Sequence, residues 1–375
     1  MSTKPEAKHR HVTRADFDGL VCAALLKELD LIDEIVFVHP RDVAERLVTV
    51  TNRDILTNLP YDDRCFLAFD HHASEALRHG SDVPKNLILD PEADSAARLV
   101  WRYYGGRKAF PGISERMLVA VDKADAARFT KEEVLDPSGW VLLNFIMDPR
   151  TGLGRFRDFR ITNFELMMQL IDHCRTYSVD EILALPDVLE RVELYFDHTE
   201  KAVEQIRRCT KMHENVAVLD LRDESTIYAC NRFMIYALFP KCNVSVHVIW
   251  GRGGQNTVLA IGNSIFEQTN AINIGELCLK YGGGGHDDAG TTQVPHTDSE
   301  RVLGEVIDRL QFGVDEPVVL TDDELPTRAE AILEQTLSES GMTLLPSKQD
   351  IRNISERLES IEDLLGAMTG SRGKN

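Results

Sequence analysis

Apolar residues follow two different periods along the first third of the chain. Runs that are apolar almost throughout, at 34–40 and 65–69, predict short strands buried on both faces, as in a parallel sheet. Between such runs, apolar side chains recur every three or four positions, as at 20–26, and predict amphipathic helices. This alternation of strands and helices predicts an α/β domain with a parallel sheet, and we assign it to residues 1–195.

The pattern changes in the second half of the chain. Residues 140–210 carry mostly helical spacing, and 196–214 is expected to be a helical linker. Strand-like segments then follow, and a single helix at 231–239 divides them. They predict a second, smaller α/β domain with a mixed sheet over 215–313.

The last part of the chain, 314–375, is acidic and contains several prolines. Five apolar residues near its end are spaced alternately by three and four positions, namely Ile351, Ile354, Leu358, Ile361 and Leu365. This spacing predicts an amphipathic helix over 348–368. The helix could dock on the body of the protein or pair with a second copy, so a homodimer is a hypothesis.

Composition agrees with a soluble globular protein. Of the 375 residues, 43% are hydrophobic and 27% are charged. No apolar run approaches the roughly 18 residues that would span a bilayer, and the charged N-terminus lacks the apolar segment of a secretory signal. The seven cysteines are scattered without a C-x-x-C motif, which favours reduced thiols. A cytoplasmic protein without membrane partners is therefore expected.

The net charge of −19 limits the kinds of partner. Proteins that coat long nucleic acids neutralise phosphates with clustered lysines and arginines, so a long nucleic acid is not an expected partner. A small phosphorylated nucleotide or a short oligonucleotide is compatible with this charge.

Asp70, His71 and His72 directly follow an apolar run. Ligands of open α/β sheets bind at the carboxyl ends of the strands, so these three side chains would reach such a site together. Asp16 and Asp18 stand at a predicted strand-to-helix turn. Two acids at this spacing can converge on one hard cation or on the two members of a metal pair, although helix capping and turn formation explain them equally well.

Further acids are predicted at the ends of neighbouring strand-like runs. Asp54 lies in the run at 47–62, and Asp122 and Asp125 lie in 116–129, which is either a helix or a strand. Carboxylates gathered at one sheet edge repel one another and are costly to bury unless a cation neutralises them. Carboxylates with an imidazole favour Mn²⁺ or Mg²⁺ over structural zinc, and one or two such ions could clamp a phosphoryl group.

A run of four glycines, 282–285, precedes His286 between a predicted helix and a predicted strand. Backbone amides without side chains can approach phosphate oxygens closely, and the imidazole could donate to a phosphate or protonate a leaving oxygen. The alternative is a flexible loop without a functional role.

These motifs together resemble the successive motifs of the DHH phosphoesterase family. The matching residues, in order along about 10–310, are 13–26, 54, 65–72, 116–125 and 282–290. The last of these, GGGGHDDAG, resembles the signature of the DHH-associated C-terminal domain. The family includes nanoRNases, phosphodiesterases of linear and cyclic dinucleotides, phosphatases of 3′-phosphoadenosine 5′-phosphate, single-strand exonucleases and exopolyphosphatase-like proteins. The resemblance implies a substrate cleft between two domains and, usually, a Mn²⁺ pair.

The resemblance also implies a role for each matching residue. The implied metal ligands are Asp16, Asp18, Asp54, Asp70, His71 and Asp122, with Asp125 as the substitute for Asp122. The implied catalytic residues are His72, His286 and Arg14. The residues implied to bind the substrate are Gly283, Gly284, Gly285 and His286, together with Arg252 from a preceding strand.

Arg14 is the position at which the chain departs from the family's first motif. The family reads Thr-His-x-Asp-x-Asp-Gly, whereas this chain has Arg14 in place of the histidine. A guanidinium stays protonated and cannot ligate a cation. Three interpretations follow: a single ion with Arg14 as a phosphate clamp, His11 as a replacement ligand, or loss of the first metal site.

The expected function is that of a metal-dependent phosphoesterase acting on phosphodiester or phosphomonoester bonds of small nucleotides or short oligonucleotides. Two alternatives remain open. One is a nucleotide-binding protein with weak or no catalysis, because the first metal site lacks its histidine. The other is an exopolyphosphatase-like activity on polyphosphate.

Overall fold

Two β-sheets organise the part of the chain that this computed structural model describes, residues 8–156 and 158–313. The strands of the first sheet, sheet A, are β1 (His9–Thr13), β2 (Ile32–Phe37), β3 (Asp54–Thr57), β4 (Leu67–Asp70) and β5 (Leu87–Leu89). The strands of the second sheet, sheet B, are β6 (Thr210–His213), β7 (Val216–Asp220), β8 (Val244–Trp250), β9 (Thr257–Asn263), β10 (Gly284–His286) and β11 (Ala289–Val294).

Helices connect and flank these strands. Those that precede sheet B are α1 (Phe17–Glu28), α2 (Pro40–Ala44), α3 (Ala73–His79), α4 (Ala96–Tyr103), α5 (Glu115–Asp125), α6 (Lys131–Leu135), α7 (Gly139–Met147), α8 (Asn163–Thr176), α9 (Val179–Leu183) and α10 (Pro186–Cys209). Those that belong with sheet B are α11 (Met234–Leu238), α12 (Ile274–Leu279) and α13 (Ser299–Phe312). Within the described ranges, no helix is both long and apolar enough to cross a membrane.

The topology of the two sheets differs. Sheet A has the order β2-β1-β3-β4-β5 and all its neighbouring strands are parallel. Sheet B has the order β10-β11-β9-β8-β7-β6, and β7 with β8 is a parallel pair among antiparallel ones. The predicted α/β fold, with a parallel sheet followed by a mixed sheet, is thereby confirmed.

Helix α1 is the most deeply buried helix next to sheet A. Its first ten residues are buried, and it packs against α4, α5 and α8. It begins directly after β1, because Asp16 caps it and accepts a hydrogen bond from the backbone N–H of Gly19 at 2.9 Å. A side chain at Gly19 would clash with the carbonyl oxygen of Arg14, so this tight turn requires glycine. The turn therefore sets the positions of Asp16 and Asp18.

The glycine run enters a strand. Gly284–His286 is β10 and pairs with β11 in antiparallel register. Side chains at Gly283 or Gly285 would clash with the backbone of β11, so the close pairing of the two segments requires glycine at both positions. The flexible-loop alternative is therefore wrong.

Several predicted boundaries differ from the structure. The run at 34–40 contributes to β2, which lies at the edge of sheet A and is not buried on both faces. The predicted boundary between 195 and 196 falls inside α10, which continues without a break. The predicted tail helix at 348–368 lies outside the described residues.

Asp54 begins β3, whereas the sequence pattern predicted that it ends a strand. The carboxylate is fully buried, and Arg10 on β1 donates to it from Nε (2.8 Å) and Nη2 (2.6 Å). Arg10 lies opposite Asp54 in the parallel register, and Thr13 lies opposite Thr57. Asp54 is therefore about 10 Å from the carboxyl end of the strand. The structure places it in an ion pair and not with the other predicted metal ligands.

Removing the partner of this buried carboxylate is expected to destabilise the protein. We expect Arg10→Met to lower the free energy of unfolding by about 3–5 kcal/mol, because Asp54 would stay buried and unpaired. Urea unfolding followed by circular dichroism measures the change. Arg53→Met is the control, because Arg53 pairs with half-exposed acids at the surface, and its loss should change stability by less than about 1 kcal/mol. Equal effects of the two substitutions would contradict this role of the buried pair.

Candidate metal centre

Three side chains meet at the carboxyl edge of sheet A. Asp18 comes from the first turn of α1, His71 follows β4, and Asp125 is the last residue of α5. One ligand atom of each lies within 4.8 Å of the other two. We call this group the Asp18–His71–Asp125 cluster. Asp125, the substitute in the sequence-based assignment, is thus the acid of α5 that meets His71.

Asp18 is buried, and the backbone of α4 holds both of its carboxylate oxygens. They accept hydrogen bonds from the N–H groups of Ala96 (3.0 Å) and Ala97 (2.7 Å) in the first turn of that helix. A helix N-terminus favours a negative charge. Burial and the nearby carboxylate of Asp125 nevertheless raise the pKa of Asp18, because its charge is withdrawn from water and a like charge lies close by. A cation between the two carboxylates would remove this repulsion.

His71 presents one ring nitrogen to the cluster. Its Nδ1 donates to the backbone carbonyl oxygen of Ala93 at 3.1 Å, which directs Nε2 towards the carboxylates. Nε2 lies 2.8 Å from Oδ2 of Asp125, yet it is closed off from solvent and makes no well-aligned hydrogen bond. Although burial opposes a charge on the ring, the neighbouring carboxylates, above all Asp125, raise the pKa of His71 to about 9. The free protein therefore attracts a proton to the position that suits a metal ion.

The donor set of the cluster fits a hard divalent cation. Two carboxylates and one imidazole suit Mn²⁺ or Mg²⁺. A backbone carbonyl that accepts from the second ring nitrogen is a common support for a histidine ligand, and Ala93 supplies it. The Nε2 of His71 is closed off from solvent and lies 2.8 Å from Oδ2 of Asp125, so the two ligand atoms already converge. These residues could therefore hold one divalent ion.

Asp16 lies beside the cluster but is engaged by other side chains. Nε of Arg14 lies 3.2 Å from its Oδ2, and the amide of Asn58 donates to both of its oxygens at 3.3 Å. Burial raises the pKa of Asp16, and the charge of Arg14 opposes this rise. His11 was the residue predicted as a possible replacement for the missing histidine ligand. It lies inside the sheet, with Nε2 2.8 Å from Oγ1 of Thr57, and burial lowers its pKa to about 3.

Asp70 and His72 support the cluster and are not among its three converging groups. Oδ1 of Asp70 accepts from the backbone N–H of His71 at 2.8 Å and lies 2.6 Å from Nδ1 of His72. These bonds fix the turn after β4, which orients His71. Asp70 thus contacts both histidines that follow it, and its predicted role as a metal ligand stays a prediction.

Asp122 lies one helical turn before Asp125 and has different partners. Ser95 donates to it from Oγ at 2.7 Å, and Arg98 donates from Nε at 2.9 Å. Asp122 therefore joins α5 to α4 through an ion pair and lies outside the cluster. Residues three apart share a helical face, so the sequence could not separate the two acids.

The predicted substrate-binding residues of sheet B do not lie together. Residues 283–285 lead into β10, and of His286 the structure describes only the backbone. Arg252 is exposed in the turn between β8 and β9. Strand β9 begins beside this turn at Thr257. Near the other end of β9, Gly262 lies opposite Ala289 of β11, which in turn lies opposite His286 of β10. Arg252 is therefore separated from His286 by the length of the sheet, about 20 Å.

Two arginines outside every sequence motif lie near the cluster. Arg150 follows α7, and Arg232 precedes α11. Asp148 accepts from Nε of Arg150 at 2.8 Å. Burial disfavours the charge of Arg150, but the carboxylate of Asp148 raises its pKa, and Asp16 and Asp125 act in the same direction. Asn58 was also missed, and its one sequence signal was a polar residue directly after the apolar part of β3.

Comparison with solved structures adds a close relative. The pGpG-specific phosphodiesterase PggH from Vibrio cholerae is 55% identical to this chain, and the match covers 81% of this chain and 99% of PggH with a TM-score of 0.71. RecJ from Thermus thermophilus, in complex with Mn²⁺, is 12% identical over 81% of this chain and 52% of RecJ, with a TM-score of 0.42. No family model matches the chain, and no curated protein matches it.

The likeness to PggH extends over nearly the whole of that protein, at an identity that implies the same fold and the same family. It agrees with the parallel sheet, with the Asp-His-His turn after β4 and with the acids that gather beside that turn. This chain therefore belongs to the DHH phosphoesterase family.

Proposed function

We propose that this phosphoesterase cleaves pGpG, or a closely similar linear dinucleotide, with the help of a divalent cation at the Asp18–His71–Asp125 cluster. The observation that carries the proposal is the cluster itself, in which Nε2 of His71 lies 2.8 Å from Oδ2 of Asp125 and close to Asp18. The substrate is suggested by PggH, which is 55% identical and pGpG-specific. Short oligoribonucleotides would be further substrates, because they contain the same phosphodiester bond.

The cation is proposed to be Mn²⁺ or Mg²⁺, and the ion pair between Arg14 and Asp16 favours one ion. Arg14 lies 3.2 Å from the carboxylate that would otherwise bind a second cation, and its own charge would repel that cation. When bound, the cation would activate water and neutralise charge on the phosphate.

The chain's own groups would orient the substrate around this ion. Arg14 would donate to an oxygen of the scissile phosphate and stabilise the charge that develops there. His72, oriented by Asp70, would contact the same phosphate. The glycines at 283–285 would approach the departing nucleotide, and His286 would protonate its leaving oxygen.

Other features of the sequence extend the proposal. Residues 1–195 would form the catalytic domain and residues 215–313 the substrate-binding domain. The unpaired cysteines of the described chain agree with a cytoplasmic location. A homodimer formed through 348–368 stays a hypothesis, because this segment lies outside the described residues.

Hydrolysis of pGpG tests the proposed function. Purified protein with Mn²⁺ should add water across the phosphodiester bond of pGpG and release two molecules of GMP, which ion-exchange chromatography separates. We expect Asp125→Asn to lower kcat by at least about 100-fold and to weaken Mn²⁺ binding measured by calorimetry, because it removes a charged ligand.

Asp122→Asn is the matched control for Asp125→Asn. It makes the same chemical change one helical turn away, at an ion pair outside the cluster. Its effect on kcat and on Mn²⁺ binding should stay below about tenfold. A complete lack of pGpG turnover with Mn²⁺ bound would refute the proposed activity, and a larger effect of Asp122→Asn would assign the ligand to that residue.

Restoring the histidine of the family's first motif tests the number of ions. We expect Arg14→His to raise the manganese content from about one to about two ions per chain, because an imidazole replaces a repelling charge beside Asp16. Mass spectrometry of the metal content after gel filtration measures this. Arg14→Gln is the control and should keep about one ion, because an uncharged amide is a poor manganese ligand.

An unchanged metal content in Arg14→His would contradict the single-ion proposal. If the wild type binds pGpG without cleaving it, and Arg14→His gains turnover, the nucleotide-binding alternative would be correct. The ion pair between Arg14 and Asp16 is the observation that keeps this alternative open.

A further inference from the structure

Three arginines from separate elements carry a band of positive charge beside the acidic cluster. Arg14 follows β1, Arg150 lies in the turn after α7, and Arg232 lies before α11 in the segment between two strands of sheet B. Burial, and then the charges of Arg150 and Arg14, lower the pKa of Arg232 to about 10, so it stays charged at neutral pH. We call these residues the arginine band.

Arg232 differs from the other two members of the band in forming no ion pair within the described residues, since the nearby Asp148 pairs with Arg150. Arg14 pairs with Asp16, and Arg150 pairs with Asp148. Nε of Arg232 is closed off from solvent and has no hydrogen-bond partner. The guanidinium stacks on the ring of its neighbour Phe233, with 4.4 Å between Cζ and the ring centroid. A buried donor without an acceptor is costly, and an anion from outside the chain would supply the acceptor that Nε of Arg232 lacks.

The segment that carries Arg232 is fixed to the helices that follow sheet A. The side chain of Asn231 donates to the carbonyl oxygen of Val134 and to the hydroxyl of Tyr195, both at 2.9 Å. The backbone N–H of Cys230 donates to the carbonyl oxygen of Thr151 at 3.0 Å. Because Thr151 directly follows Arg150, this contact holds the Arg232 segment against the turn that carries Arg150. The two guanidiniums are therefore positioned before any ligand arrives.

The arginines of the band differ in their position relative to the cluster, so they would contact different phosphates of the substrate. Arg14 touches Asp16, which adjoins the cluster, so its guanidinium is next to the bond that is cleaved. Arg232 lies in the segment before α11, which contacts the turn that carries Arg150. Among the described residues, no ion pair joins Arg232 to Asp16 or to the cluster.

We propose that Arg232, together with Arg150, binds the terminal 5′-phosphate of the dinucleotide, a phosphate that is not cleaved. This inference rests on the proposed function, because it assigns one part of that substrate. A terminal phosphate monoester carries close to two negative charges at neutral pH, whereas the internal diester carries one. Planar guanidiniums bind such a group through paired hydrogen bonds.

The arginine band would make the enzyme selective for 5′-phosphorylated linear dinucleotides. A dinucleotide with a 5′-hydroxyl group would leave Nε of Arg232 buried without an acceptor in the complex. A site built to bind a polar group rejects the analogue that lacks it, because its own polar atoms lose their partner. A cyclic dinucleotide has no terminal phosphate and would be rejected for the same reason.

The test compares pGpG with GpG, which lacks the 5′-phosphate, as substrates of the full chain with Mn²⁺. We expect the wild type to have a higher kcat/KM for pGpG, and Arg232→Gln to lower the ratio of the two kcat/KM values by about 10- to 100-fold, because charged hydrogen bonds are lost. Arg301→Gln is the matched control, because Arg301 pairs with Glu305 on the exposed surface of α13, and it should leave the ratio unchanged. Arg232→Lys keeps the charge and loses the planar guanidinium, so its ratio of the two kcat/KM values should lie between those of the wild type and Arg232→Gln.

Direct binding separates failure of this inference from failure of the proposed function. Calorimetry of the metal-free protein should show weaker binding of pGpG to Arg232→Gln than to the wild type, with no such loss for GpG. If the wild type cleaves neither dinucleotide but this difference in binding is found, the phosphate site stands and the proposed activity fails. If the wild type cleaves both and Arg232→Gln lowers the two kcat/KM values equally, the activity stands and the phosphate site is refuted.

Discussion

Asp18 and Asp125 lie close together, Asp18 buried and Asp125 at the surface, and their mutual repulsion is the constraint on which the surrounding structure depends. Several elements offset it. The N-terminus of α4 donates two backbone hydrogen bonds to Asp18, and the imidazole of His71 lies against Asp125. Neither element neutralises both acids. A helix end carries only a partial charge, and a protonated imidazole carries a single positive charge. The proposed divalent cation would neutralise the charge that remains, so the same acids shape both the fold and the chemistry of the site.

The same constraint explains why acids that look alike in the sequence have different roles. Asp54 and Asp122 are also withdrawn from water, but each has an arginine, Arg10 or Arg98, that forms paired hydrogen bonds with it. A carboxylate neutralised by a guanidinium has little need of a metal ion. Asp70 is satisfied by the backbone of the turn that it stabilises. The acids that follow strands therefore differ in their partners, and the Asp18–His71–Asp125 cluster is the group whose ligand atoms converge within the described residues.

Three arginines place positive charge near the acidic cluster. The chain as a whole carries a charge of −19, yet the positive charges of Arg14, Arg150 and Arg232 lie close enough to act on one another. Fields that are focused in this way act on a small ligand without attracting a long polyanion. The hydrogen bonds of Asn231 and Cys230 link the segment before α11 to the helices that follow sheet A. The fold itself therefore holds Arg232 in place.

The sequence by itself determined the α/β class, the two sheets, the tight turn after β1 and the strand that delivers Asp70, His71 and His72. Those features depend on local periodicity and on short motifs, which act over a few residues. Only the tertiary structure decided that Asp54 begins its strand, that Asp125 and not Asp122 meets His71, and that Arg252 lies far from His286. It alone revealed Arg150 and Arg232, because their closeness depends on packing between segments about 80 residues apart. No local pattern encodes a contact of that range, since it arises when whole elements are buried against each other.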